Sequence, residues 1–291
     1  MNPVDPARAA AFVPPPFEGG WTPRDSILYA LGLGLGHDPL DGNALPFVYE
    51  ERGPRALPSL VTVVGDPNRW LYEPAAGLGD APNVHGAQTV TFHAPVPAAG
   101  RIRSQSRIAG LYDRGPGSHA ILLVEEAMVD AATGAPLATL LQTDVLMGAG
   151  GFGGEPPPAL ERPAMPDRAP DAWVRHPVSP RAALLYRLSG DHVTFHVDPA
   201  AARAAGFERP ILHGLCTWGM ACHAVVATFC GHEPARLRRL HGRFTAPGYP
   251  GEALLTELWD EGGGIVLFRT RTQGRDAVLI DNGRADGGEP T

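Results

Sequence analysis

The sequence predicts an α+β protein made of two similar halves, and three observations carry that reading. Each half places helix candidates ahead of a run of strand candidates. A stretch holding six prolines separates the halves, and 291 residues with 44% apolar content suffice for two small cores.

In the first half, Thr22 to Leu35 opens with a Thr N-cap and Pro23 at the first helical position, then carries apolar residues at helical spacing until glycines stop it. One helix is predicted there. Ser59 to Val64, Ala87 to Phe92, Arg101 to Leu111, His119 to Asp130 and Leu137 to Met147 are rich in β-branched residues with turn signals between them, and predict strands. The glycines from Gly148 to Gly154 end this half, and Glu155 to Asp171 (EPPPALERPAMPDRAPD) has too many prolines for regular structure. In the second half, Ala182 to Arg187 reads as extended or helical, Pro199 to Ala205 as a short helix and Gly214 to Cys230 as a long apolar helix. The strand candidates Arg239 to Phe244, Ala253 to Glu261, Gly264 to Gln273 and Ala277 to Asn282 follow. The predicted boundaries are therefore residues 1–154, a linker over 155–171, and residues 172–291. Val84-His85-Gly86 and Leu212-His213-Gly214 echo each other, both expected at turns, which weakly suggests duplication.

Composition removes several function classes. All 24 basic residues are arginine, so chemistries needing a lysine amine are excluded, among them Schiff-base formation and the P-loop lysine. A formal charge of −7 argues against binding nucleic acid by phosphate neutralisation. Cys216, Cys222 and Cys230 are odd in number and clustered, which points to a reducing compartment. No apolar run reaches membrane-spanning length, residues Met1 to Phe17 do not resemble a signal peptide, and Gly287 to Thr291 is not a peroxisomal address. A cytoplasmic protein with no membrane partner is expected.

Some motif-like features have simpler readings. Gly148, Gly150 and Gly153 match G-x-G-x-x-G, but prolines stand where a phosphate-binding helix would begin. Cys216, Cys222, His223, Cys230 and His232 lack paired knuckle spacing and read as buried thiols along a core helix, so no metal site and no cofactor are expected. Ser189-Gly190 lacks the nucleophile elbow of serine hydrolases. Arg236, Arg238 and Arg239 read first as a solvated face and second as phosphate ligands.

The densest site-like passage is YRLSGDHVTFHVDPAAARAAGFERPILHGLCTWG, Tyr186 to Gly219. Asp191 and His196 are suited to proton transfer, and Gly214 opens the long helix, where unpaired backbone N–H groups can face a carbonyl or an oxyanion. Singly, Asp191 reads as a turn carboxylate and His196 as a buried histidine; together they read as a catalytic pair.

This passage resembles the signature of the R-specific, type-2 enoyl-CoA hydratases of the MaoC-like family, roughly Y-R-L-S-G-D-x-N-P-L-H-x-D-P followed by G-F-x-x-P-I-L-H-G-L-C-T. The likeness extends to LYALGLGLGHDPLD, FVYE, LPSL, HGAQ, YDRG, GAGGFGG, PDRAPD and GRFTAPGYPGE, from Leu28 to Glu252. It implies a double hotdog fold with residues 1–154 as the acyl-binding half and 172–291 as the catalytic half, and a homodimer. It implies a (3R)-specific 2-enoyl-CoA hydratase or 3-hydroxyacyl-CoA dehydratase with Asp191 and His196 as proton-transfer groups and the Gly214 N–H on the thioester carbonyl. Family ligand contacts fall at His85, Gly86, Arg114 and Phe244. The segment between Asp191 and His196 departs from the family: His192, Val193, Thr194 and Phe195 replace x-N-P-L, so the pocket there is reshaped and a motif amide is missing. The alternatives are a catalytically impaired acyl-thioester binding protein and a biosynthetic dehydratase acting on an unusual acyl substrate.

Overall fold

The computed structural model describes residues 3–64 and 69–288; the last three residues of the C-terminal stretch considered above lie outside them. Ten strands form one antiparallel sheet. They are β1 (Phe17–Trp21), β2 (Asn83–Phe92), β3 (Gly100–Asp113), β4 (Ala120–Asp130), β5 (Pro136–Leu146), β6 (Ala172–Pro177), β7 (Leu237–Phe244), β8 (Ala253–Gly262), β9 (Ile265–Thr272) and β10 (Val278–Gly287). The spatial order is β1-β3-β4-β5-β2-β7-β10-β9-β8-β6. Read from its outer edge, the second half runs β6-β8-β9-β10-β7, the same connectivity as β1-β3-β4-β5-β2. The halves join through β2 and β7, with Ala87 opposite Arg243 and Thr91 opposite Arg239. This is the expected double hotdog.

The repeated topology corrects the sequence echo. His85 and Gly86 lie within β2, at a register shift between His85 and Ala87, whereas His213 and Gly214 begin a helix in the other half. The two tripeptides are thus not equivalent positions, and only the second sits at a turn.

The helices are α1 (Pro6–Ala11), α2 (Pro23–Gly32), α3 (Leu45–Val48), α4 (Ala182–Tyr186), α5 (Pro199–Ala204) and α6 (Gly214–Thr228). Helix α2 starts at the predicted cap: Thr22 accepts from the Asp25 N–H while the Asp25 carboxylate accepts from the Thr22 N–H at 2.8 Å, a capping box. Helix α6 is apolar around most of its circumference because the sheet wraps it. Among the described residues the first half has no helix of that length. Where a strand was expected over Ser59 to Val64, Pro58–Thr62 forms a 3₁₀ helix, with Leu60 N–H bonded to Leu57 O at 3.0 Å and Val63 N–H to Leu60 O at 3.0 Å. Proline fixes φ there, and Ser59, Leu60 and Val61 are buried without any ladder partner. Strands β1 and β6 and helix α1 were not predicted; β1 and β6 are short edge strands with little periodic signal.

Residues 155–171 have neither helix nor strand but are pinned by side chains. The Trp259 indole N–H donates to Arg168 O at 2.9 Å, Arg168 pairs with Asp171 at 2.6 Å and Glu261 at 3.1 Å, and Arg239 pairs with Glu161.

Helix α2 crosses α6 at Gly219. A Cβ on Gly219 would lie 2.8 Å from the Tyr29 hydroxyl and 2.9 Å from a Leu33 methyl. Gly219→Ala is expected to cost about 1–3 kcal/mol of stability through overpacking; a urea titration showing a loss under about 0.5 kcal/mol would mean that the crossing relaxes freely.

Candidate functional site

After α4 and a 3₁₀ turn over Arg187–Ser189, Gly190 adopts φ +135°, a region open to glycine, and turns the chain into the Asp191 loop. A second 3₁₀ turn, Thr194–His196, drives His196 inward, and Asp198 caps α5 through the Ala200 N–H at 2.7 Å. His196 is buried, and its Nδ1 lies 2.9 Å from Ile211 O. A carbonyl can only accept, so Nδ1 carries the proton and Nε2 presents a lone pair. Burial lowers the His196 pKa; the Ile211 carbonyl and the nearby Asp191 charge oppose that shift.

His213, the N-cap residue of α6, completes the group. Its ring stacks on His196 with centroids 3.8 Å apart and 23° between planes, and it packs on Tyr186 at 5.0 Å. Donor atoms of Asp191, His196 and His213 all lie within 4.8 Å of one another. Burial, then the neighbouring His196, pushes the His213 pKa down to about 3, so it is neutral at physiological pH. The triad has the residue types of a metal site. However, the two imidazoles stack face to face and Nδ1 of His196 is already committed, so their lone pairs do not converge on one point. The arrangement suits proton transfer. His213 was passed over in the sequence reading; its position immediately before Gly214 was the available signal.

At the position of the missing motif amide the backbone makes a bond to Asp191. The Val193 N–H donates to Asp191 Oδ1 at 3.2 Å, so the carboxylate is still oriented from that position. His192, Val193 and Thr194 are exposed, while Phe195 is half-buried against His196 at 4.4 Å and Phe207 at 5.6 Å.

Gly214 is the first residue of α6 and His213 makes no side-chain capping bond; the Cys216 and Thr217 N–H groups bond to His213 O at 3.1 and 3.3 Å, and the Gly214 and Leu215 N–H groups lie ahead of that first bond. Above Gly214 stands the Phe244 ring, 3.3 Å from where a Cβ would be. Phe244 in turn meets His85 of the other half, edge to face at 4.8 Å. His85 Nε2 lies 3.1 Å from Ala87 O, and burial lowers its pKa to about 4 despite Gln88 and Asp191 close by. Asp191, His196, Gly214, Phe244 and His85 therefore meet where the halves join, with Gly86 beside His85 at the β2 bulge.

Arg114 sits apart, on an exposed turn beyond β3. That turn is built on Asp113, whose carboxylate accepts the N–H groups of Gly115, Gly151 and Gly153, each at 2.7 Å. The Gly151 N–H first, then those of Gly115 and Gly153, hold the Asp113 pKa below its ordinary range. The glycine-rich loop thus wraps the protein's own carboxylate, in the manner of an anion site already filled. Arg114 and Arg162 are near enough to Arg243 for their charges to add to the effect of burial in lowering its pKa. The three cysteines are buried thiols, burial raising Cys222 to about 12 and Cys230 to about 11.

Among the described residues no helix is long and apolar enough to cross a membrane.

Residues 161–281 match the model of the MaoC-like domain, and residues 20–148 match that of the MFE-2 hydratase 2 N-terminal domain. The chain is 38% identical to 3-hydroxyacyl-thioester dehydratase Y of Mycobacterium tuberculosis, over 97% of its own length and 98% of the relative's. It is 35% identical to an enoyl-CoA hydratase of the same organism, over 91% and 93%. A MaoC-like dehydratase from Phytophthora capsici superposes with a TM-score of 0.83 at 30% identity, covering 99% of this chain and all of that one.

Proposed function

Because the chain belongs to the two-domain MaoC-like family of hydratases and dehydratases, we propose that it adds water to, or removes it from, the α,β double bond of an acyl-CoA with (3R) stereochemistry. The single observation that carries this reading is the grouping of Asp191, His196 and His213, whose donor atoms lie within 4.8 Å of one another, at the N-terminus of α6.

In the hydration direction, Nε2 of neutral His196 accepts a proton from the attacking water as the water oxygen bonds to the β-carbon. The π electrons move toward the α-carbon and the thioester oxygen, whose growing negative charge faces the Gly214 N–H at the positive end of α6. The proton taken from water returns to the α-carbon through the Asp191–His196 pair, so no net proton leaves the site. Dehydration is the same path reversed. His213 stacks on His196 and holds its ring plane; Phe244 and His85 form the wall opposite Gly214.

The impaired-binder alternative rests on Val193 and Thr194 in place of the motif residues, and turnover separates it from the hydratase reading. The test is the loss of conjugated enoyl-CoA absorbance: turnover of a 2-enoyl-CoA is expected, and binding without turnover at any chain length would sink the reading.

Arg114, with Arg162 and Arg243 near it, supplies positive charge suited to the phosphates of CoA. Arg114→Ala is expected to raise KM for an enoyl-CoA about three- to tenfold with kcat held, and Arg114→Lys to raise it less. A fall in kcat at constant KM would remove Arg114 from phosphate binding. We further read the protein as a homodimer, as the family resemblance implies, which sedimentation equilibrium tests, and as cytoplasmic, in line with its three buried free cysteines.

A further inference from the structure

The imidazole of His196 stands inside a column of aromatic rings drawn from distant parts of the chain. His213 stacks on it with centroids 3.8 Å apart, and Phe195 lies against it at 4.4 Å, tilted by 54°. Phe195 and His213 are not themselves in ring contact, so they approach His196 from different sides. Beyond His213 come Tyr186 at 5.0 Å and then Tyr29 at 5.8 Å, and beyond Phe195 comes Phe207 at 5.6 Å. The column therefore runs from the loop after α5, through the 3₁₀ turn Thr194–His196 and the N-terminus of α6, to the end of α4 and to α2 of the first half.

The two ends of the column differ. Tyr186 and Tyr29 are fully buried in the main core. Phe195 and Phe207 are half-buried, and they belong neither to the two apolar clusters nor to the side chains packed against those clusters. Core packing gives no reason for two phenylalanines here. Phe195 also takes the place of the leucine in the motif that this passage resembles, so its ring is a departure of this chain.

A histidine ring needs more than one contact to be held. The torsion between Cβ and the imidazole is broad and roughly twofold, so a hydrogen bond at one ring atom leaves the plane free to swing. In His196 that bond joins Nδ1 to Ile211 O at 2.9 Å. Nε2 is the atom that meets the attacking water, and the ring plane sets its direction. His213 blocks the swing on one side and Phe195 on another.

Phe195 is cover as well as support. Burial is the largest influence on the His196 pKa and holds it below the ordinary value, and Phe195 is a ring in contact with His196 that also meets solvent. The charged and titratable groups facing His196 are Asp191 from its own loop and His213 from α6, with Arg187 acting on His213.

We propose that Phe195, backed by Phe207, is a positioning residue of this site: it clamps His196 against His213, aims Nε2 at the attacking water and keeps solvent off the imidazole. This rests on the hydratase reading above. Water that reaches the ring in place of Phe195 stabilises the imidazolium, whose Nε2 has no lone pair with which to take a proton. Loss of the ring thus misaims His196 and also makes it more easily protonated.

The experiment follows kcat and KM for a 2-enoyl-CoA against pH in wild type, Phe195→Ala, Phe195→Tyr and Phe207→Ala. In Phe195→Ala kcat at neutral pH is expected to fall about tenfold, and the acid limb to move up by at least about half a pH unit, toward the ordinary histidine value. Phe195→Tyr, which restores a ring, should recover most of both. Phe207→Ala, which removes only the backing, should move both in the same direction by less. In Phe195→Ala, a neutral-pH kcat or an acid limb left at the wild-type value overturns the proposal, because a substrate wall or a plain structural support does not move the limb. A limb displaced as far in Phe195→Tyr as in Phe195→Ala overturns it too. If Phe195→Ala does not fold, Phe207→Ala decides, and an unmoved limb there overturns the clamp. If wild type shows no turnover, the hydratase reading fails instead, and the His196 titration followed by NMR tests the clamp by itself. A pKa raised in Phe195→Ala and held in Phe195→Tyr then supports it, and a pKa unchanged in Phe195→Ala overturns it.

Discussion

Asp191→Asn is expected to lower kcat for enoyl-CoA hydration by about 10²- to 10⁴-fold, the usual contribution of a positioned proton-transfer group, with KM changed less than about threefold. His196→Ala should lose as much, and the double variant little more than either single one, because the two act as a unit. The substitution at 191 keeps shape and the bond from the Val193 N–H but removes the charge that favours protonation of His196. The pH profile gives a second readout. His196 titrates below its ordinary range because it is buried, so the acid limb of the activity profile should lie below the ordinary histidine range, with activity flat through neutrality. In Asp191→Asn the residual activity should lose its acid limb at lower pH than wild type, since a charge that raised the His196 pKa is gone. If Asp191→Asn keeps wild-type kcat, the catalytic pair is misassigned.

The second large effect is acid sensitivity of the fold. Burial lowers the pKa of His85 and His223 to about 4, and of His176 and His213 to about 3. In the unfolded chain each returns to about 6.5. Between these values the unfolded state binds more protons, so the stability these neutral histidines contribute is complete above about 6.5 and is lost as pH falls toward 4. Two carboxyls act oppositely: burial raises Glu126 to about 7 and Asp144 to about 6, so acid relieves part of their cost. From pH 7.5 to 5.0 the four histidines outweigh the two acids by about 4 kcal/mol. For a chain of this size that is a fall in Tm of roughly 6 °C. A Tm that is constant or rises over that interval would contradict it. The Glu126 contribution is separable: Glu126→Gln should raise stability at pH 8 by up to about 3 kcal/mol and do nothing below pH 4.5.

Periodicity and turn chemistry were enough to locate most elements. The Thr22 capping box, the apolar run of α6 and the strands β3, β4 and β5 follow local rules that hold wherever the chain lies. The Pro58–Thr62 segment shows where such rules fail: its β-branched residues favour a strand, but the segment is buried with no ladder partner, and local i→i+3 bonds satisfy its backbone instead. Asp191, His196 and Gly214 were legible because their chemistry and spacing lie within one continuous passage. His213 was adjacent but bland, since a buried histidine becomes informative only when its ring is seen stacked on another.

The sequence by itself determined the α+β pattern, the two halves, the absence of lysine chemistry and the motif that holds Asp191 and His196, the proposed proton-transfer pair. It also placed an arginine at position 114 of a charged turn. Tertiary structure alone decided three things, each depending on residues far apart in the chain. Pairing of β2 with β7 brings His85 of one half against Phe244 and Gly214 of the other. The glycine-rich loop closes on Asp113 and fills with a carboxylate the nest that a phosphate could have used. The register of β4 decides that Glu126 faces the interior while Glu125 faces solvent, because in a strand one residue of displacement exchanges the two sides.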